Sequence, residues 1–273
     1  MSRRWRAVAL NLALAGAALA TLAPLVWMVS ASFMQSGEAN TLPPPLVPAR
    51  PTLAQYTELF ARLRLGRAFL NSLLLSSAIT AISLLCNSMA GYAFAKLRFR
   101  GRDRLFGLLL LTLVVPPQVG VLPLFLELRA LGLVNSYGGV LVAGIATVFG
   151  IFLVRQFAQS IPDEVLDAAR VDGASEWRIY RSIVLPLLRP ILVTLGVFTF
   201  LSAWNDFMWP LIVLTDQAKY TLPVALANLA GEHVQDTELM MAGAVVTVLP
   251  VLLVFLFLQR YYLDGILAGS VKE

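Results

Sequence analysis

The sequence predicts an all-α, polytopic membrane fold with six transmembrane helices, and three observations carry that prediction. Of 273 residues, 58% are hydrophobic and only 14% charged, against about 45–50% and about 25% in ordinary soluble domains. Mean hydropathy is +0.76. The apolar residues also arrive in long blocks: stretches without Asp, Glu, Lys or Arg run from Ala7 to Gly37, Ala68 to Ala95, Leu105 to Leu126, Ala130 to Val154 and Leu239 to Gln259. Each can supply the ~20 apolar residues that a bilayer-spanning helix needs. A sixth block, Pro190 to Leu214, is interrupted only by Asp206. This balance rules out a disordered chain and argues against a soluble globular enzyme.

The elements follow in order. The first span, near 8–30, opens with Arg3, Arg4 and Arg6 and could pass for a signal peptide. Its apolar run of about 23 residues exceeds the ~7–15 of a signal core, so it is read as a retained helix. The next loop, Met34 to Arg67, holds Pro43, Pro44, Pro45, Pro48 and Pro51, a stiff extended stretch before a short amphipathic segment suited to a membrane surface. Spans near 70–95 and 105–126 follow, the latter carrying Pro116-Pro117, which removes backbone donors and should kink it. The fourth span lies near 137–157, the fifth near 188–212 and the sixth near 239–261. All belong to one transmembrane domain over 1–273, with a loop at 158–186 between spans four and five.

Orientation follows from the basic residues. With both termini in the cytoplasm, 15 of the 21 lie inside, namely Arg3, Arg4, Arg6, Lys96, Arg98, Arg100, Arg102, Arg104, Arg155, Arg170, Arg178, Arg181, Arg189, Arg260 and Lys272; Arg50, Arg62, Arg64, Arg67, Arg129 and Lys219 lie outside. Lys and Arg concentrate on the cytoplasmic side of membrane proteins. The net charge of +5 therefore belongs to a membrane topology and points to no nucleic acid. The single cysteine, Cys86, lies in an apolar block and reads as a small filler, and the single histidine, His233, as a solvated loop residue. Neither can build a metal site alone. Phosphate-loop, dinucleotide, metalloprotease and nucleophile-elbow motifs are absent from the sequence, so any nucleotide chemistry belongs to another chain.

The 158–186 loop is the most informative segment. Ser160 with Asp163 suits a capping box, Pro162 a first turn, and Gly173 the left-handed position that ends a helix. The spacing predicts a helix of roughly 12 residues, with Ile161, Val165, Ala168 and Ala169 on one face and Asp163, Asp167 and Arg170 on the other. A second helix runs from Glu176 to Leu185 and stops at Pro186. On residues alone, the first helix is equally a docking surface or a surface helix lying on its own membrane domain.

The spacing Asp167-Ala168-Ala169, three residues, Gly173, nine residues, Ile183-x-Leu185-Pro186 resembles the EAA loop of permease subunits of ATP-binding-cassette importers, with Asp in place of the usual Glu. Asn71-Ser72, the run Ala90 to Ala95, Pro116-Pro117-Gln118, the run Trp204 to Pro210 and the tail Gly265 to Lys272 are similar to the carbohydrate-importer class that includes the maltose-type permease. The resemblance covers essentially residues 8–273. It implies the type I importer permease fold and a bacterial cytoplasmic membrane location. It further implies a coupling helix docked in an ATPase cleft through Asp167, Ala168, Ala169, Asp172 and Gly173, with small residues where backbones approach closely. Gly269 and Lys272 in the tail would form a second ATPase contact. The implied partners are a second homologous permease, two ATPase subunits that carry ATP and Mg, an external solute-binding protein, and sugar. This chain itself would bind no cofactor or metal and would be no enzyme.

Asp206 is the one ionisable residue inside a span, where burying a charge costs ~2.5–3.5 kcal/mol. Its neighbours Trp204, Asn205 and Trp209 offer the aromatic faces and hydrogen-bonding groups that a sugar needs, with Asn205 and Trp209 expected on one helix face. Gln118 is a further pathway candidate. The alternative for the tryptophans is an interfacial aromatic belt, and for Asn87 a helix–helix hydrogen bond. A glycerol phosphate or polyol substrate stays open within the importer class, although a phosphate would call for a basic residue that no span here supplies. An ion-coupled transporter would need more midplane carboxylates or histidines.

Overall fold

In a computed structural model, the chain is described at 3–61, 64–232 and 236–270, with side chains described from 8 to 257 except at 62, 63, 230 and 232–235. Every regular element among the described residues is helical. In chain order they are α1 (Arg3–Ala31), α2 (Ala54–Ala61), α3 (Leu65–Lys96), α4 (Arg102–Leu111), α5 (Val121–Ala130), α6 (Tyr137–Val142), α7 (Val148–Gln159), α8 (Asp163–Val171), α9 (Glu176–Ile179), a π-helical turn (Tyr180–Val184), α10 (Leu185–Leu187), α11 (Arg189–Trp204), α12 (Met208–Val213), α13 (Leu222–Glu232) and α14 (Thr237–Ser270).

Three helices are long and apolar enough to cross a membrane as single pieces, within Val8–Ala31, Leu65–Lys96 and Thr237–Phe257, and the number rises to five when each bent pair counts as one span. The count of six continuous spans is not what these helices supply. Pro116-Pro117 breaks the third expected span, where the chain bends by 99°; Pro116 leaves the helical conformation and a 3-10 turn, Pro117–Gly120, restarts it. The fourth divides into α6 and α7, and Thr147 caps the second piece by accepting the Gly150 N–H at 3.1 Å. The fifth divides at Asn205 to Phe207, between α11 and α12.

Two compact units make up the chain. In the first, residues 1–66 and 225–250, the Pro-rich loop is held by polar bonds. Trp27 Nε1 donates to the Pro45 carbonyl at 3.1 Å, Ser30 Oγ to that of Leu46 at 2.6 Å, and Ala39 N–H to buried Glu238 Oε1 at 2.6 Å. The expected amphipathic segment is α2, with Leu59 fully buried. Ala31, Met34 and Ala39 form a small core with Trp27 and Met241. From Val8 to Val26 every side chain of α1 is exposed, an apolar surface that suits lipid or another subunit and not water.

In the second unit, residues 67–224 and 251–273, α3 is the spine of two cores. Near its start, Leu75 packs with Leu128, Val140, Trp209, Val213 and Leu214; roughly 25 Å further on at 1.5 Å per residue, Tyr92 packs with Val154, Ile161, Leu166, Ile179 and Val184. The Asn71-Ser72 pair has a physical role. Asn71 Nδ2 donates to the carbonyls of Ala218 and Tyr220 at 3.1 and 3.0 Å, its Oδ1 accepts from Tyr137 Oη at 2.7 Å, and Ser72 Oγ accepts the Leu222 N–H at 2.7 Å. Asn87 joins α3 to α7, donating to Thr147 Oγ1 at 3.3 Å and accepting the Thr147 N–H at 3.0 Å. Gly91 lets the same helices touch: a Cβ there would stand 2.5 Å from Val154 Cγ1 and 3.0 Å from the Arg155 nitrogen.

Candidate functional site

The 158–186 loop is built onto the second unit from its anchors outward. Lys96, the last residue of α3, donates to the Ile161 carbonyl at 2.6 Å and to Asp163 Oδ1 at 2.7 Å. That tie fixes where α8 starts. Ser160 therefore does not cap it: its hydroxyl donates backward to the Phe157 carbonyl at 2.7 Å, and Pro162 takes the cap position. The helix has nine residues rather than about twelve. At its other end Gly173 adopts φ +77°, the Gly173 N–H donates to Arg170 O and the Ala174 N–H to Ala169 O, both at 3.0 Å. This is the Schellman closure expected of a glycine in that place.

The inward face of α8 differs from expectation. Leu166 is its buried centre, with Ala169 packed on the same core, whereas Val165 and Ala168 are exposed. Asp167, Asp172 and Gly173 are exposed as well. The outward surface thus carries Val165, Ala168 and Val171, the last 87% accessible.

Arg170 organises the polar side. Its Nε donates to Glu176 Oε1 and its Nη1 to Asp167 Oδ1, both at 2.7 Å, while Tyr92 Oη on α3 donates to Glu176 Oε2 at 2.8 Å. Tyr180 adds a 2.7 Å hydroxyl bond with Ser88. Sequence reasoning missed Tyr92, Lys96, Leu166 and Glu176; the opposite charges flanking Gly173, Arg170 and Glu176, were the available signal. The second helix does not stop at Pro186. The chain passes through the π turn into α10, of which Pro186 is the second residue.

The Arg170 hydrogen bond holds the Glu176 carboxyl below the usual carboxylate range against a contrary pull from burial, and the Lys96 hydrogen bond does the same for Asp163. Carboxylates with lowered folded values anchor the loop fully above the unfolded value of about 4 and release it as pH falls through the lower folded one. Hydrogen exchange in α8 is expected to be equally protected by this anchorage from pH 8 to about 5 and to rise only in stronger acid.

A second feature of this unit is a cavity of about 480 Å³ whose wall includes Thr147, Phe198, Thr199, Ser202, Asp206 and Trp209. Asp206 Oδ1 accepts the Trp209 N–H at 3.4 Å at the start of α12, and Trp209 Nε1 donates to Gly139 O at 3.2 Å. The helix break removes the face expected to join Asn205 and Trp209: Asn205 ends α11, its Nδ2 donating to Leu201 O at 2.8 Å. Trp204 is fully buried, edge-on to Phe69 and stacked with Phe200, and is not among the cavity-lining residues. Gln118 is exposed on its 3-10 turn and is not among the residues lining that cavity. Gly269 lies in the last turn of α14, where only the backbone is described; Lys272 and His233 lie outside the described residues. No cluster of three or more metal-ligating side chains occurs among the described residues.

Residues 87–266, which include α8, the turn at Gly173 and most of the second unit, match the family described as binding-protein-dependent transport system inner membrane component. The chain belongs to this family. The inner membrane component is 38% identical to the arabinooligosaccharides transport system permease protein AraQ of Halalkalibacterium halodurans, over 91% of this chain and 90% of that one. It is 34% identical to the lactose transport system permease protein LacG of Rhizobium radiobacter, over 94% and 93%. Its fold matches a crystal structure of a bacterial ABC transporter involved in the import of the acidic polysaccharide alginate, with a TM-score of 0.85 and 25% identity, covering 96% of this chain and 99% of that one. This inner membrane component is therefore an all-α, multi-pass permease of the ABC importer kind.

Proposed function

We propose that the chain is one permease subunit of an ATP-driven carbohydrate importer. It pairs with a second homologous permease, docks α8 in the cleft of a cytoplasmic ATPase subunit, two of which bind ATP and Mg, and receives sugar from an external solute-binding protein. What supports this most is the outward face of α8, where Val165, Ala168 and Val171 stand exposed on a helix sharply closed by Gly173. Asp167 and Asp172 flank that contact, and the tail at Gly269 and Lys272 adds a weaker one. Both termini and the 158–186 loop face the cytoplasm, in keeping with the distribution of Lys and Arg.

Carbohydrate is favoured over glycerol phosphate by the cavity wall, which offers hydroxyls, aromatic faces and one carboxylate but no Lys or Arg. The relatives named for arabinooligosaccharides and lactose agree with that preference. Asp206 and Trp209 are the pathway residues of this reading, while Trp204, Asn205 and Gln118, which do not line this cavity, stay weaker candidates. Replacing Asp206→Asn keeps an oxygen for the Trp209 N–H and removes the charge. Sugar uptake is expected to fall by roughly tenfold or more, the scale of a lost hydrogen bond to a charged group, with assembly intact. Unchanged uptake kinetics would leave Asp206 only its role at the start of α12.

The deciding experiment is co-purification. A tagged chain should bring down a second permease and an ATPase, and in a Cys86→Ala background of that complex a cysteine at Gln217 should react with an external impermeant thiol reagent while cysteines at Gly101 and Ser175 should not. A chain that purifies without an ATPase, or with Ser175 labelled from outside, would overturn the reading.

A further inference from the structure

A groove of about 780 Å³ runs along the second unit between α3, the π turn and α11. Its wall is almost wholly apolar, with Leu84, Leu192, Val193 and Phe200 prominent, and it carries two charged residues, Arg181 and Arg189. Arg181 lies in the π turn and Arg189 opens α11, and the 77° bend between the helical stretches Glu176–Leu187 and Arg189–Trp204 puts both on one groove. Among the described residues neither arginine forms an ion pair, and the carboxylates of the loop before them are engaged elsewhere, Asp163 by Lys96 and Asp167 and Glu176 by Arg170. Among the described residues no Asp or Glu lines the groove.

We infer that this groove binds an anionic phospholipid, with the phosphate between Arg181 and Arg189 and an acyl chain laid along α11 toward Phe200. Two arginines without an ion pair among the described residues, on an otherwise apolar groove, match the chemistry of such a lipid, whose headgroup is negative and whose tail is not. The length matches too. Eleven residues separate Arg189 from Phe200, roughly 16 Å of helix, and one leaflet is about half of the ~30 Å hydrocarbon core. A zwitterionic lipid such as phosphatidylcholine also offers a phosphate, but its own ammonium offsets that charge, so it answers two arginines less well than an anionic headgroup does. A free phosphate would leave the apolar wall bare.

The test uses the assembled importer, extracted from nanodiscs holding equal phosphatidylglycerol and phosphatidylcholine and read by native mass spectrometry. The intact complex is expected to retain phosphatidylglycerol in preference to phosphatidylcholine. The Arg181→Gln/Arg189→Gln pair should weaken that retention roughly thirtyfold, at the scale of two basic side chains beside an anionic headgroup. Val193→Trp, which fills the groove without touching charge, should lower retention as well. Equal retention of the two lipids by the unaltered complex would overturn the proposal without reference to any variant, as would undiminished phosphatidylglycerol on the double variant. A cysteine at Val193 that cross-links to the second permease, with no lipid retained, would assign the groove to a subunit contact instead.

Discussion

Ala168→Trp is expected to abolish sugar uptake while the chain still inserts and folds. Ala168 is exposed on α8, so a larger side chain has solvent to extend into, and the loss is expected to come from what docks there. An indole on a close helix contact removes an interaction at the scale of a binding hot spot, ~2 kcal/mol or more, or about thirtyfold in ATPase affinity. Gly173→Asp tests the same contact from its end. No atom lies within 4 Å of a Cβ at Gly173, so the cost inside the chain is the left-handed conformation alone, ~1–2 kcal/mol. The measurement is ATPase co-elution together with uptake in proteoliposomes. Normal uptake by both variants would sink the docking assignment, and with it the main support for an ATP-driven importer.

Gly91→Ala is expected to damage the fold itself. The added methyl would sit 2.5 and 2.7 Å from two Val154 side-chain atoms and 3.0 Å from a backbone nitrogen of α7, and backbone cannot step aside as a flexible side chain can. Overpacking of this kind costs typically 1–3 kcal/mol, here at the junction that also positions Tyr92. Gly16→Ala is the control: nothing lies within 4 Å of its Cβ, and Ala is a better helix former than Gly by ~1 kcal/mol. Thermal unfolding of the purified complex should fall for the first and hold or rise for the second. A Gly91→Ala protein as stable as the parent would mean that α3 and α7 pack less closely than described. Adding Val154→Ala should restore only part of the loss, because it removes the Cγ1 contact and leaves the Cβ.

The helical class, the bend at Pro116-Pro117 and the left-handed turn at Gly173 were legible because each rests on local chemistry: block hydrophobicity, a missing donor, a residue without Cβ. Asn87 was legible as a helix-to-helix hydrogen bond for the same reason, a polar amide in an apolar stretch needing a partner. The start of α8 was not, since Ser160 offered a good local cap and was outcompeted by Lys96, 64 positions earlier, binding the Ile161 carbonyl. Nor was its inward face, because Leu166 and Val165 are equally apolar and only the neighbours from α3, α7 and the π turn decide between them. The cavity hydroxyls of Thr147, Thr199 and Ser202 were invisible in sequence, being ordinary residues in apolar blocks until the breaks at 143–147 and 205–207 bring them to one wall.

The Arg170–Glu176 bond crosses the turn at Gly173, from the residue three before it to the residue three after it. It acts as a strut over a joint. A glycine in a tight turn would otherwise be the softest point of the loop, and the strut ties α8 to α9 across it. Tyr92 clamps that pair to α3 through Glu176, and α3 is a single stiff rod whose other end holds Asn71, roughly 30 Å away, with the Ala218 and Tyr220 carbonyls in its grip. If an ATPase seats on Ala168 as proposed, this chain of contacts gives its push a route out of the loop to the far end of the rod.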